Sequence, residues 1–280
     1  MEDVAILVFL HFNATYVRLK HAHHPGIAYL REIHRLEWLL KSARDVKTRI
    51  PVHVVVAGDR NASAEAFLQS LGAQIIESPH VRPPRWASWF HKHSFGRIAA
   101  LALTQFRKVI VLDNDMTLLA NIDDLAAAET PAMVFHTATV LPRKERCAPT
   151  GGLFVLTPSR REYDRALHHL YALNPAKDAK GRALAPALAN KGKSYRCYDG
   201  SDQEFWRSWY RPLYELPLRY HAHTGLVMNT SEWRQIRLIH NIAGFRMVYM
   251  RLPAFVRRKI RFFHGLPDDI SKLNDPNYKM

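Results

Sequence analysis

Lys108-Val-Ile-Val-Leu-Asp-Asn-Asp-Met-Thr117 is the stretch on which the fold turns. Its four apolar residues, Val109 to Leu112, read as a buried strand. Two carboxylates, Asp113 and Asp115, follow with one residue between them. On an extended chain, side chains two apart point the same way. The pair is therefore expected to converge on one cation at the C-terminal edge of a sheet, where open α/β sheets bind their ligands. Hard carboxylate oxygens suit magnesium or manganese, ions that bridge diphosphate oxygens. The bland alternative is that Asp-Asn-Asp forms a polar turn after a strand.

Working outward, short apolar runs alternate with helical patterns, as in an open α/β sheet. Val4 to Leu10 reads as a first strand. Ile27, Leu30, Ile33, Leu36, Leu39 and Leu40 then recur at helical spacing, with Arg31, Glu32, Arg35 and Lys41 between them. Pro51 precedes a second strand, Val52 to Val56, which stops at Gly58-Asp59. Ser63 is placed to cap a helix running to Leu71, with Gly72 in the left-handed position that ends it. Ile75-Ile76 suggests a third strand, Pro79 to Trp89 a loop, and Ser94 to Thr104 a helix. Beyond the acidic pair lie Val134-Phe135, Leu153 to Leu156 and a helix from Ser159 to Leu173. Asn174 to Lys193, rich in Ala, Lys, Gly and Pro, reads as an insertion. The second half is more irregular and more basic than the first.

A chain of 280 residues with 48% hydrophobic composition can bury a sizeable core as one α/β domain. The net charge of +15 favours polyanionic ligands, from nucleoside diphosphates to anionic lipid, without choosing among them. No zinc-finger spacing or RNP-like aromatic motif appears, so nucleic acid is not expected as a partner. Two cysteines, Cys147 and Cys197, cannot build a disulfide framework. Glu2 and Asp3 stand where a signal peptide needs positive charge, and no segment is long and uncharged enough to span a bilayer. The basic segment Arg237 to Arg261 is compatible with peripheral contact with an anionic membrane, or with a core helix whose basic face points outward.

Two families share the acidic pair. Asp113-X-Asp115-X-Thr117 after an apolar strand is similar to the first motif of haloacid-dehalogenase-type phosphatases, with Asp268-Asp269 as a distal acidic pair. That motif normally ends the first strand of its domain, whereas about a hundred residues of α/β pattern precede it here. The longer run Asp-Asn-Asp-Met-Thr-Leu-Leu-Ala-Asn-Ile-Asp-Asp-Leu125 resembles the glycogenin-like family 8 of glycosyltransferases. Three further segments resemble that family in the same order: Gly152-Leu-Phe-Val-Leu-Thr-Pro-Ser159, Asp199-Gly-Ser-Asp-Gln203 and Phe263-His264-Gly265.

This resemblance implies a GT-A (Rossmann-like) α/β fold, a mixed central sheet flanked by helices in one domain over residues 1–280. About 1–125 would be the nucleotide-sugar half and about 126–280 the acceptor half. It implies a UDP-sugar donor, manganese (or magnesium) as the metal, and retention of configuration at the transferred sugar. Asp113 and Asp115 match the family's metal carboxylates and His264 its third protein ligand. Asp202 and Gln203 match the residues nearest the reacting sugar, where they would stabilise oxocarbenium-like charge or orient the acceptor hydroxyl. Asp199 would bond sugar hydroxyls. Arg97 stands where the family carries a phosphate-contacting Lys. Asn13 and Tyr16 resemble its uridine-pocket Asn-X-X-Tyr, and Asn114 and Gly265 join the expected donor contacts.

The chain also departs from the family pattern. Thr150-Gly151-Gly152 replaces an Asn-Ser-Gly or Asn-Thr-Gly, and Lys272 is displaced by two residues from the Lys that touches diphosphate. His21-X-His23-His24, His91-X-His93 and His221-X-His223 have no place in the pattern and are expected to be surface or structural histidines. The resemblance implies an acceptor that is a glycan, a protein or a small molecule. A homodimer and either a cytoplasmic or a Golgi-lumen setting are compatible with the sequence. A non-catalytic nucleotide- or glycan-binding relative is the third alternative.

Overall fold

A computed structural model describes residues 3–12, 25–58, 60–88, 91–135, 149–173, 201–210, 213–223, 226, 228–240 and 252–264. The first half alternates strands and helices: β1 Val4–Phe12, α1 Pro25–Asp45, β2 Val52–Gly58, α2 Ala62–Ser70, β3 Gln74–Glu77. A 3-10 helix, Lys92–Ala102, leads into β4 Lys108–Leu112. Then come β5 Met116–Leu118, β6 Ala132–Phe135, β7 Pro149–Leu156, α3 Arg160–Ala172, α4 Asp202–Trp209 and β8 Tyr214–Leu216. Short elements close the described chain: β9 Ala222–His223, α5 Thr230–Gln235, β10 Leu238–His240 and α6 Ala254–His264.

The main sheet has seven strands in the order β3-β2-β1-β4-β7-β6-β8. β1 to β4 run parallel to one another, β7 runs antiparallel to both β4 and β6, and β8 pairs parallel with β6. Sequence pattern dictates how its two faces are covered. Ile6, Val8, Ile110 and Leu112 point into one apolar layer under α1. Ala5, Leu7, Val109 and Val111 point into the other, against the 3-10 helix, α3 and α4. This period of two explains the unbroken apolar runs, since both faces of a sheet wound with helices are dry. Each fully buried Leu or Ile contributes about 1.5–3 kcal/mol.

Local signals set the helix boundaries. Ser159, where the expected helix begins, caps α3 by accepting from the Glu162 amide. At α2 the cap is Asn61, whose side chain accepts from the Ala64 amide, so the helix starts before Ser63. Asn at a cap competes well with Ser, and the Ser63 expectation is corrected on that ground. Gly72 has φ +93, the left-handed geometry that glycine adopts without strain.

A second sheet, β5-β10-β9, was not foreseen. β10 runs antiparallel to β5, with His240 opposite Met116, and parallel to β9, with His240 opposite His223. Its strands of two and three residues are too short to show a period of two, which hides them from sequence reading. Beneath it Trp233, Ile236, Ile239, Leu252, Val256 and Ile260 pack as a third apolar cluster that seats α6.

Asn121-Ile-Asp-Asp-Leu125 is a clasp. Asp123 accepts from the Arg49 amide (3.1 Å), Asn121 Nδ2 (3.1 Å) and the Thr48 hydroxyl. Asn121 also donates to the Lys47 carbonyl (3.1 Å), fixing a turn in which Lys47 has φ +54. Asp124 accepts from the Tyr220 hydroxyl (2.6 Å) and pairs with Arg237 (3.0 Å), which ties the second sheet to the first. Ile122 and Leu125 are buried between them.

Candidate metal centre

β4 delivers Asp113 and Asp115 to the C-terminal edge of the main sheet. The chain does not stay extended there: it turns at Asn114-Asp115 and re-enters a strand at Met116. Asp113 continues the ladder, its amide donating to the Gly152 carbonyl at 3.0 Å. The two carboxylates therefore converge through the turn rather than through the period of a strand. The third member comes from β10. Because His240 is registered against Met116, its ring stands beside Asp115: Nε2 lies 2.9 Å from Asp115 Oδ1 and 3.6 Å from Asp113 Oδ2. Ligand atoms of Asp113, Asp115 and His240 all fall within 4.8 Å of one another.

Arg97 closes the other side. The 3-10 helix puts residues three apart in line, so Ser94 and Arg97 both reach the start of α4. Ser94 Oγ accepts from the Asp202 amide (3.2 Å). The Arg97 guanidinium donates to Asp202 through Nε (2.9 Å) and Nη2 (2.5 Å). Its Nη1 donates to the Gly151 carbonyl (2.6 Å) and to Asp113 Oδ1. Asp202 is fully buried and also accepts from Trp206 Nε1 at 2.9 Å.

The charges do not balance. Three carboxylates, Asp113, Asp115 and Asp202, face one buried guanidinium, and His240 adds a positive charge only when protonated. Burial pushes the Asp113 carboxyl above its usual range, outweighing the opposing pull of Arg97 and His240. Burial acts the same way on Asp115, but His240, and more distantly Arg35, hold it below that range. Burial lowers His240, and Asp115 with Asp113 more than reverse this, so the imidazole is raised. Buried negative charge in excess is costly unless a cation compensates it. Two carboxylate oxygens and one imidazole nitrogen form a donor set suited to manganese or magnesium. Asp113 and Asp115 keep 26% and 17% of their side-chain surface open, which leaves access for an ion and its ligand.

Two glycines make room for this arrangement. A Cβ on Gly151 would sit 2.5 Å from Gln203 Cγ, and one on Gly152 would sit 2.1 Å from His221 Nε2. Gln203 lies in the first turn of α4, whose cap Ser201 accepts from the Gln203 amide at 3.3 Å. Asn114 donates through Nδ2 to Glu32 on α1. The structure thus brings together Asp113, Asp115, Arg97, Asp202 and Gln203. Asn13, Tyr16, Asp199, Gly265 and Lys272 lie outside the described residues, as does the side chain of His264 at the end of α6. Sequence reading missed His240. One histidine among 16, on a three-residue strand, carries no signal without the register of β10.

No protein-family model matches the sequence. The uncharacterized protein C4C3.09 of Schizosaccharomyces pombe is 27% identical over 106 residues, 35% of this chain and 28% of that protein. Among solved structures, the apo WbbM bifunctional glycosyltransferase superposes with TM-score 0.56 at 10% identity, over 99% of this chain and 52% of that one. The glycosyltransferase GlyE of Streptococcus pneumoniae TIGR4 gives TM-score 0.53 at 12% identity, over 98% of this chain and 63% of that one. The chain shares its fold with GT-A glycosyltransferases. It spans less than two thirds of each of these relatives, and at such identities the likeness is one of fold. No helix among the described residues is long and apolar enough to cross a membrane.

Proposed function

We propose that the chain is a metal-dependent retaining glycosyltransferase of family 8 type, moving a hexose or related sugar from a UDP-sugar to a hydroxyl of a glycan, protein or small molecule. The observation that carries this reading is the Asp113–Asp115–His240 cluster at the C-terminal edge of β4 in a GT-A fold. Asp113 Oδ2, Asp115 and His240 Nε2 would hold manganese or magnesium. When bound, the ion would neutralise charge on the departing diphosphate.

The protein's own groups set that chemistry up. Arg97 occupies Asp113 Oδ1, which stops the carboxylate from swinging and leaves Oδ2 toward His240. Its guanidinium also anchors the Asp202 carboxylate, so in this reading Arg97 is a positioning residue and Asp202 its counter-charge. Gln203, beside Gly151, is left to orient sugar or acceptor hydroxyls. β1 ends at Phe12 on the same edge as Asp113, and in this reading Asn13 and Tyr16, which follow it in the sequence, would meet the uridine. His264 was expected as the third ligand; His240 takes that place in the proposal.

The phosphatase reading has less support. It needs Asp113 as a nucleophile, whereas one of its oxygens is committed to Arg97. Calorimetric titration of UDP with and without manganese, followed by a UDP-release screen of UDP-sugars, tests the proposal. Manganese-dependent UDP binding with turnover of a UDP-sugar is expected. Magnesium-dependent phosphate release from monoesters would favour the phosphatase instead, and UDP binding with no turnover of any donor would favour a non-catalytic relative.

A further inference from the structure

His240 does not stand alone. Its Nδ1 lies 2.9 Å from His221 Nε2, with the two rings edge to face at 4.9 Å. His221 sits at the entrance to β9, its amide donating to the Leu218 carbonyl at 2.9 Å, and it is 2% exposed. Thr150 Oγ1 lies 3.4 Å from the same His221 nitrogen. The backbone of β7 gives way to this pair: a Cβ on Gly152 would come within 2.1 Å of His221 Nε2 and 3.0 Å of His240 Nδ1. The ring that faces both carboxylates through Nε2 is thus held from behind through Nδ1 by a second, buried imidazole.

We propose that His221 is a positioning residue for the metal centre, fixing the tautomer and the plane of the His240 ring. This rests on the reading of Asp113, Asp115 and His240 as metal ligands. A neutral imidazole carries one proton. If Nε2 of His240 coordinates the ion, the proton resides on Nδ1, and a stable arrangement needs an acceptor there. His221 Nε2 is that acceptor, which puts the His221 proton on its own Nδ1. The alternative tautomer, with the proton on His240 Nε2, turns an N–H toward the ion and cannot ligate. Once an ion displaces the contact of His240 Nε2 with Asp115, the hydrogen bond from His240 to His221 holds the remaining proton on Nδ1 and so stabilises the binding form. It also raises the basicity of the ligating nitrogen, as partners behind metal-bound histidines generally do. Gly152 is part of the device, because a side chain there would displace His221.

Side chains of graded reach separate this role from mere packing. In H221Q the amide oxygen can occupy the place of Nε2 and accept from His240; in H221N it falls short; H221F fills the space with no acceptor. Manganese affinity of the full chain is measured by calorimetry at neutral pH, alongside unfolding without metal. H221N and H221F are expected to bind manganese about 10- to 100-fold more weakly than wild type, with H221Q close to wild type. H221N keeps the comparison valid if the phenylalanine is not accommodated. Wild-type affinity in H221N would overturn the proposal. So would equal weakening in H221Q and H221N, which would mark His221 as a packing residue. If the wild-type chain binds no manganese, the metal reading itself fails, a result distinct from either.

Discussion

Asp202 meets Arg97 with both carboxylate oxygens, at 2.9 Å and 2.5 Å, and neither side chain keeps more than a trace of solvent contact. The pair joins α4 to the 3-10 helix, and through Nη1 it reaches Asp113 on the turn after β4. One guanidinium therefore links the Asp113 carboxylate, the Gly151 backbone and the first residue of α4. Stability and site geometry depend on the same group.

Replacing Arg97 leaves Asp202 buried without its counter-charge. R97M is expected to lose about 3–5 kcal/mol in denaturant unfolding. The double variant R97M/D202L, in which that carboxylate is also removed, should recover a large part of the loss. A double variant as unstable as R97M would show that the pairing does not carry the effect.

Metal binding should be visible as stability. At a manganese concentration 100 times its dissociation constant, the folded state gains about 2.7 kcal/mol. For a chain of this size that corresponds to a rise in melting temperature of about 5–10 °C, reversed by a chelator. H240A and D115N should abolish the rise while keeping the far-ultraviolet dichroism of the wild type.

Asp123 gives a pH dependence of defined sign. Burial favours its neutral form, but the hydrogen bonds from Thr48, the Arg49 amide and Asn121 outweigh that and hold the carboxyl below its usual range. Its contribution is therefore fully present above its unfolded value, near pH 4, and is lost as pH falls through the lower folded value. D123N should cost about 1.5–3 kcal/mol at pH 7. The gap between variant and wild type should shrink progressively below about pH 4, as read from unfolding free energies across pH.

Lys47 is an L-residue in left-handed geometry at the end of α1. That conformation costs a side-chain-bearing residue about 1–2 kcal/mol, partly returned as extra freedom of glycine in the unfolded chain. K47G is expected to stabilise the fold by up to about 1 kcal/mol, measured by the same unfolding experiment. A destabilised K47G would mean that the lysine side chain makes an unrecognised contribution.

The main sheet was legible because its signal is local and repeated. Val4 to Leu10, Val52 to Val56 and Val109 to Leu112 are apolar runs whose both faces are covered, and β1, β2 and β4 follow them closely. Asp113 and Asp115 could be located for the same reason, since they terminate the strongest run. Arg97 was placed at the site by resemblance, but its buried partners were not visible, because a charged residue in a helix looks the same whether it faces water or Asp202. His240 was out of reach for a different reason. It meets Asp115 only through the antiparallel register of β10 with β5, more than a hundred residues apart in the chain.

The clasp formed by Asn121, Asp123 and Asp124 has a consequence for reading related sequences. These residues bind the chain to itself, at Lys47 to Arg49, at Tyr220 and at Arg237, and their hydrogen bonds do not involve Asp113, Asp115 or His240. Their contribution to folding would persist in a protein that had given up its metal and its chemistry altogether. An Asn-Ile-Asp-Asp-Leu segment is thus a signature of shape, while in the proposed reading the histidine opposite the acidic turn would report whether the metal site is still intact.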